Sequence, residues 1–350
     1  MTDNQPPQSD SPFADAALSD WLAEVAGTRG TVDLARIGAG QSNLTYLATD
    51  ADGTSVVVRR PPLGHLAASA HDVVREGHIM RQLADTDVPV PTIFGIAEAD
   101  QVADTPVVAM SVIAGTSLNS EETALSLSEP ARARAADGLI DAMTAVHDVD
   151  LTTTGLDDLA SHNPYAARQL RRWSGQWDKT KTRELPALDT LTERLSAARP
   201  DQSRTVLVHG DLHLGNIIVD QETGDVNAVV DWELTTLGDP LADIGSLLAY
   251  WPTQDGPNLP GFDAALAPGF PTAEQLADRY LERTGGGREA RDAIAYWHVL
   301  GLWKVAIIVE GVVRRTRDNP GNASGGGALP AEMVDAMIGR ATAVADRIGL

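Results

Sequence analysis

The sequence predicts an α+β protein of two lobes, a small antiparallel sheet carrying one helix and then a larger, mainly helical lobe. Three observations point there. Short β-like runs divided by glycine and proline turns fill the stretch from Leu34 to Val112, with one helical stripe among them. From Gly115 onward, apolar residues recur mostly at helical spacing. Between those later helices, residues 206–233 return to short apolar runs around a polar loop.

Residues 1–12 are polar and proline-bearing and predict a disordered tail. The small lobe is expected over 13–114 and the large lobe over 115–350. Leu18, Trp21, Leu22 and Val25 fall at helical spacing near the start of order. Leu34–Leu47 then reads as strand, glycine turn, strand, with Gly38, Gly40, Ser42 and Asn43 in the turn. Small residues there let backbone amides approach phosphate oxygens, although such a turn by itself is also an ordinary hairpin. Asp52-Gly53 is a hairpin signal, and Val56–Arg60 follows it as a strand. Strand alternation sets Val57 and Arg59 on one face, Val58 and Arg60 on the other. Ala70–Leu83 predicts a helix bearing Arg75 and Glu76, and the strands Ile93–Ala97 and Pro106–Val112 complete five.

Beyond Gly115, residues 129–149 predict a helix with Pro130 in its first turn. Pro164–Lys181 is the densest basic stretch, carrying Arg168, Arg171, Arg172, Lys179 and Lys181 with Trp173 and Trp177, both of which would be buried if the stretch is an ordinary solvated helix face. An anion site and a solvated helix face fit that stretch equally. Further helices are expected to open over Gly238–Gly245 and run into Leu247, Leu248 and Trp251, and to follow over Ala273–Thr284, Gly287–Arg314 and Pro330–Ile348, with Asp318–Ala328 as a mobile loop.

The stretch 206–233 carries the chemistry. Val206–Val208 and Ile217–Val219 flank a loop holding Asp211 and Asn216, and Val226–Val230 delivers Asp231 and Glu233. Carboxylate and amide oxygens are the hard ligands that magnesium takes, and a carboxylate off the metal can orient a hydroxyl toward a phosphate. Those residue types in that order suit phosphoryl transfer.

His209-Gly210-Asp211, Asn216 five residues later and Asp231-Trp232-Glu233 downstream resemble the aminoglycoside phosphotransferase family, whose fold is protein-kinase-like. The resemblance implies roles. Asp211 would be the catalytic base, and Asn216 and Asp231 would hold Mg2+ on the phosphates of ATP. Gly38, Gly40, Ser42 and Asn43 would form the phosphate loop. Arg59 would stand at the position of the strand lysine, with Glu76 as its helix partner. Met110, Ser111 and Ile113 would form the hinge, the Ser111 carbonyl and Ile113 amide reading adenine. Asp239 and Asp243 would brace the catalytic loop. Arg59-Arg60-Pro61-Pro62, Ser69–Asp72, Arg75-Glu76 and Asp231–Leu234 look most like the subgroup related to kinase domains fused to some acyl-CoA dehydrogenases. That subgroup implies a hydroxyacyl-CoA as a small-molecule hydroxyl acceptor, and the family name implies aminoglycoside-like compounds.

Composition narrows the setting. A formal charge of −22 opposes nucleic acid as a partner. No run approaches the ~18 consecutive apolar residues of a membrane helix. Without cysteines or a signal-like N-terminus, a cytoplasmic monomer or homodimer is expected. Two rival readings remain. His209-x-Asp211-x-His213 could serve a metal-dependent hydrolase, and the missing strand lysine invites a nucleotide-binding pseudokinase.

Overall fold

The computed structural model describes residues 12–38, 43–62, 72–160, 163–202, 204–254, 256, 258–318 and 329–350. They fall into two compact units, Met1–Asp85 with Val90–Ile113, and Thr86–Pro89 with Ala114–Leu350. The expected tail up to residue 11, Gly40, Ser42, Ser69–His71 and most of the Asp318–Ala328 loop lie outside the described residues.

In the first unit, helix α1 (Asp15–Ala26) precedes strands β1 (Val32–Ile37), β2 (Leu44–Asp50) and β3 (Ser55–Arg60). Helix α2 (Val73–Leu83) and strands β4 (Ile93–Ala97) and β5 (Val107–Met110) follow. The strands form one antiparallel sheet in the order β1-β2-β3-β5-β4. Apolar burial holds α1 to it, since Leu18, Trp21 and Leu22 share a core with Val56, Val58 and Val107.

Alternation along β3 buries Val56, Val58 and Arg60 and leaves Val57 and Arg59 half-buried. Arg60 is fully buried, and its guanidinium bonds the Pro12 carbonyl and Asp104 and lies over the Phe13 ring. A buried guanidinium is tolerable only with such partners. On the neighbouring helix, Asp72 caps α2 by accepting from the Arg75 N–H.

In the second unit, α3 (Glu121–Leu125), α4 (Glu129–His147), α5 (Leu151–Thr154), α6 (Tyr165–Thr180) and α7 (Pro186–Ala197) lead to strands β6 (Val206–Val208), β7 (Ile217–Val219), β8 (Val226–Val229) and β9 (Thr236–Gly238). Helices α8 (Leu241–Tyr250), α9 (Ala273–Thr284), α10 (Arg288–Asp318) and α11 (Glu332–Arg347) complete it. The strands pair as two antiparallel ribbons, β6 with β9 and β7 with β8. Each ribbon is only two strands wide and needs helices to cover it.

At 31 residues α10 is long and apolar enough to cross a membrane, yet 67% of its most apolar window is buried in protein. It is the central core helix. Trp297, Leu302, Trp303 and Val305 on α10 share a core with Leu188 and Leu191 of α7 and Met337 and Ile338 of α11. Trp177 is buried but Trp173 is only half-buried, so the stretch has one buried tryptophan where the solvated-face alternative has two, and β5 ends at Met110, two residues before the expected Val112.

Candidate active site

The polar loop between β6 and β7 is built on Asp243, near the start of α8. Asp243 Oδ2 accepts the His209 N–H and Oδ1 the Gly210 N–H, both at 2.8 Å. His147 Nε2 lies 3.2 Å from Oδ2, and His147 Nδ1 3.1 Å from the Tyr280 hydroxyl. Burial works against the Asp243 carboxylate, but the His147 contact, the nearby histidines and the Gly210 N–H outweigh it and hold its pKa below the ordinary 3.8. A charged anchor therefore sits under the loop. Asp239, also buried, accepts the Leu241 N–H at the head of α8.

Gly210 takes φ +85, and a Cβ there would meet the Leu234 carbonyl oxygen at 2.7 Å. Only glycine fits that turn. His209 is fully buried, its Nε2 donating to the Val230 carbonyl at 3.1 Å and its ring 4.8 Å from Trp232. Burial pushes its pKa down, against Asp243, Asp211 and Asp231, so the ring is neutral with the proton on Nε2.

Asn216 Nδ2 donates to the Asp211 carbonyl at 2.8 Å and lies 3.4 Å from Asp211 Oδ2. Its backbone carbonyl accepts the Val230 N–H at 2.9 Å. Through these bonds the loop holding Asp211 and Asn216 is stitched to the residue before Asp231. Asp231 is in the left-handed region, φ +69 and ψ +61, which a residue with a Cβ enters at a cost of about 1–3 kcal/mol. Such strain concentrates at functional positions. Carboxylate oxygens of Asp231 and Glu233 lie within 4.8 Å of each other. Asn216, whose amide nitrogen is committed to the Asp211 carbonyl, keeps Oδ1 as an acceptor, and an amide oxygen with two carboxylates is a donor set of the kind magnesium takes, so these residue types fit that ion.

His213 stands beside Asp211. Its Nδ1 accepts the Gly215 N–H at 3.0 Å, which puts its proton on Nε2, 3.8 Å from Asp211 Oδ2. Burial lowers its pKa, opposed by Asp211. The ring packs on Phe262 (4.7 Å) and Tyr250 (5.9 Å), which stack on each other at 4.3 Å. With His209 Nε2 bound to backbone and His213 packed among aromatics, no His-bearing metal cluster occurs among the described residues.

In the first unit, Arg59 Nε lies 3.1 Å from Glu76 Oε2, and its NH2 donates to Oε1 at 3.2 Å. Asn43 Nδ2 adds a bond to Oε1 at 3.3 Å. Glu76 is 2% exposed, so this is a buried carboxylate, and the Arg59 guanidinium and the Asn43 amide are among the groups that hold it. Gly38 ends β1 with φ +77. Met110 closes β5, and the Ser111 N–H and hydroxyl exchange bonds with Thr92, both 2.9 Å. Among the described residues nothing bonds the Ser111 carbonyl or the Ile113 N–H.

Sequence reading passed over Tyr250 and Phe262, whose rings pack on His213 beside Asp211, and Lys304, which lies over Trp173. Lys304 left one signal, being the lone charge in the apolar run Val299–Val309.

A model of the phosphotransferase enzyme family matches residues 33–294. Acyl-CoA dehydrogenase family member 10 of Mus musculus is 36% identical over 306 residues, 86% of this chain but 28% of that protein. Acyl-CoA dehydrogenase family member 11 of Homo sapiens is 28% identical over 87% of this chain and 39% of its own length. The chain thus spans well under half of these curated relatives. Among solved structures, a Ralstonia eutropha protein provisionally named an aminoglycoside phosphotransferase shares 28% identity at a TM-score of 0.76, covering 95% of this chain and 99% of that one. A thermostable mutant of aminoglycoside phosphotransferase APH(4)-Ia, in complex with AMP-PNP and hygromycin B, aligns at a TM-score of 0.61 with 16% identity, over 95% of this chain and 98% of that one. At that identity the likeness is one of fold.

Proposed function

The chain belongs to the phosphotransferase enzyme family, and we propose that it moves the γ-phosphoryl group of ATP to a hydroxyl of a small-molecule acceptor. The observation that carries this reading is the bonded set of Asp211, Asn216 and the backbone before Asp231, held from below by Asp243.

Asp211 would accept the acceptor's hydroxyl proton as its oxygen bonds the γ-phosphorus and the bond to the ADP oxygen breaks. Products are a phosphomonoester and ADP, with the proton on Asp211. Asn216 and Asp231 are the residues that would hold Mg2+, and Glu233 lies beside Asp231. That ion would neutralise charge on the phosphates. Asn216 Nδ2 fixes the Asp211 carbonyl and stands near its carboxylate, so the base is oriented before substrate arrives. Arg59, aligned by Glu76, would contribute a cation to the phosphates, with Gly38, Gly40, Ser42 and Asn43 nearby in sequence as the phosphate loop. Met110, Ser111 and Ile113 would receive the adenine. The Arg59–Glu76 pair disfavours the pseudokinase reading, since a guanidinium here already has the carboxylate partner expected of the strand cation.

The likeness to acyl-CoA dehydrogenase family members 10 and 11 supports a hydroxyacyl-CoA acceptor, and the likeness of fold to aminoglycoside phosphotransferases supports an aminoglycoside-like one. ADP release, measured with ATP, magnesium and a panel of hydroxylated acceptors, tests the reading. At least one acceptor is expected to release ADP, and Asp211→Asn to slow it by about 10²–10⁴ while keeping the nucleotide-dependent thermal shift. An Asp211→Asn enzyme as fast as the parent would overturn it.

A further inference from the structure

Four helices of the second unit, α8, α9, α10 and α11, line a cavity of about 720 Å³. That size suits a small organic molecule. Leu248, Ala277, Ile294 and Val344, one from each helix, give it an apolar wall. It shares no described lining residue with the small pocket beside His213, and neither Asp211 nor Asp231 lines it. The cavity is therefore separate from the catalytic loop.

The charge of its wall runs against that of the chain. Arg291, Arg340 and Arg347 line it with Glu274 as the single described carboxylate, in a protein of 27 basic and 49 acidic residues. Arg291 is taken by Asp278. On α11, Arg340, Val344 and Arg347 recur at the spacing of one helix face, so two guanidiniums and an apolar side chain front the same space. Arg340 is half-buried, and burial lowers its pKa, whereas Asp225, Asp335 and Asp141 raise those of Arg134, Arg183 and Arg283 in the same unit. A guanidinium drawn from water without a counter-charge costs stability, and an anion bound to it offsets that cost. His298 stands in the same wall, its ring bonded to the Leu248 backbone. Its buried Nε2 meets no hydrogen-bond partner among the described residues, a second polar group of this wall that the protein leaves unsatisfied. Burial, with Arg340 and Arg347, holds the His298 pKa at about 4, so at neutral pH the arginines alone carry the positive field there.

We propose that this cavity binds a small amphipathic anion, its acid group on Arg340 and Arg347 and its hydrocarbon body along Leu248, Ile294 and Val344. A carboxylate and a phosphate monoester present the same kind of oxygen to a pair of guanidiniums, and the experiment separates them. Amines of the same length are disfavoured by the arginines, and alcohols by the loss of charge pairing. The site is independent of the phosphotransferase reading, since none of its described lining takes part in that chemistry.

The test titrates the full chain by calorimetry with octanoate, octyl phosphate, octanol and octylamine. At least one of the two acids is expected to bind about 10-fold or more tightly than octanol, with octylamine weakest, and the tighter acid identifies the head group. Arg347 is exposed, so Arg347→Met leaves the core untouched and should weaken the acid by about 10-fold without moving octanol. Arg340→Met should act in the same direction, and Arg340→Lys should recover part of the loss. Ala343→Trp, at an exposed lining position, should weaken acid and alcohol together by narrowing the cavity. Equal affinity for the acids and octanol, tighter binding of octylamine, acid binding unmoved by both arginine-to-methionine changes, or no binding of any probe would each overturn the inference. All of these leave the phosphotransferase reading standing.

Discussion

Asp243 accepts the backbone N–H of His209 through one carboxylate oxygen at 2.8 Å, while its other oxygen accepts the N–H of the next residue at the same distance. The bend before Asp211 is thereby made on α8 rather than within the loop itself. An asparagine at 243 keeps one acceptor and replaces the second with a donor facing an N–H.

Asp243→Asn is therefore expected to destabilise the protein by about 3 kcal/mol, read as a lower midpoint in chemical denaturation. Phosphotransfer should fall further than stability alone explains, because Asp211 loses its fixed backbone. A variant with the parent's midpoint would show that the anchor is dispensable.

Glu76 is buried against Arg59 and Asn43, so removing the arginine alone takes away the guanidinium that bonds both of its carboxylate oxygens. Arg59→Met is expected to cost about 3–5 kcal/mol in unfolding free energy. Arg59→Met combined with Glu76→Leu should regain most of that stability yet remain weak in nucleotide binding by calorimetry. Recovery of both together would remove Arg59 from the proposed phosphate site.

Arg60, next along β3, faces the opposite way and ties Pro12 and Asp104 over the Phe13 ring. Arg60→Met should lower stability by about 2 kcal/mol while leaving nucleotide affinity unchanged. Comparing neighbours Arg59 and Arg60 by thermal shift with and without ATP separates a ligand-facing cation from a structural one.

Acid should destabilise the fold in two windows. Burial holds His209, His213 and His298 below the ordinary 6.5, His298 at about 4, with Arg340 and Arg347 adding to the effect there. Unfolded histidines bind protons first, so stability is full above 6.5 and falls as pH drops toward the folded values. Asp243, lowered instead from 3.8, adds stability above that value and loses it below. Denaturation midpoints measured from pH 7 to 3 should decline below 6.5, and His298→Phe should flatten the decline between 6.5 and about 4. A flat profile in the parent would contradict the burial of all three rings.

The sequence alone determined what local chemistry can state. The antiparallel small sheet was legible because β-like runs with period two, cut by glycine and proline, leave few other arrangements, and the helices of the second unit because apolar stripes at period 3.6 must face a core. The order of Asp211, Asn216 and Asp231 was legible as a pattern of oxygen donors within one short stretch. The fate of adjacent cations was not. Period two puts Arg59 and Arg60 on opposite faces without saying which one Glu76 meets, and only packing seats Arg60 under Phe13. Likewise Asp243 lies more than thirty residues beyond the loop it holds. Hydrogen bonds and fields act through space, whereas spacing along a chain records only neighbours within a few residues. The contacts that orient the site are therefore tertiary decisions.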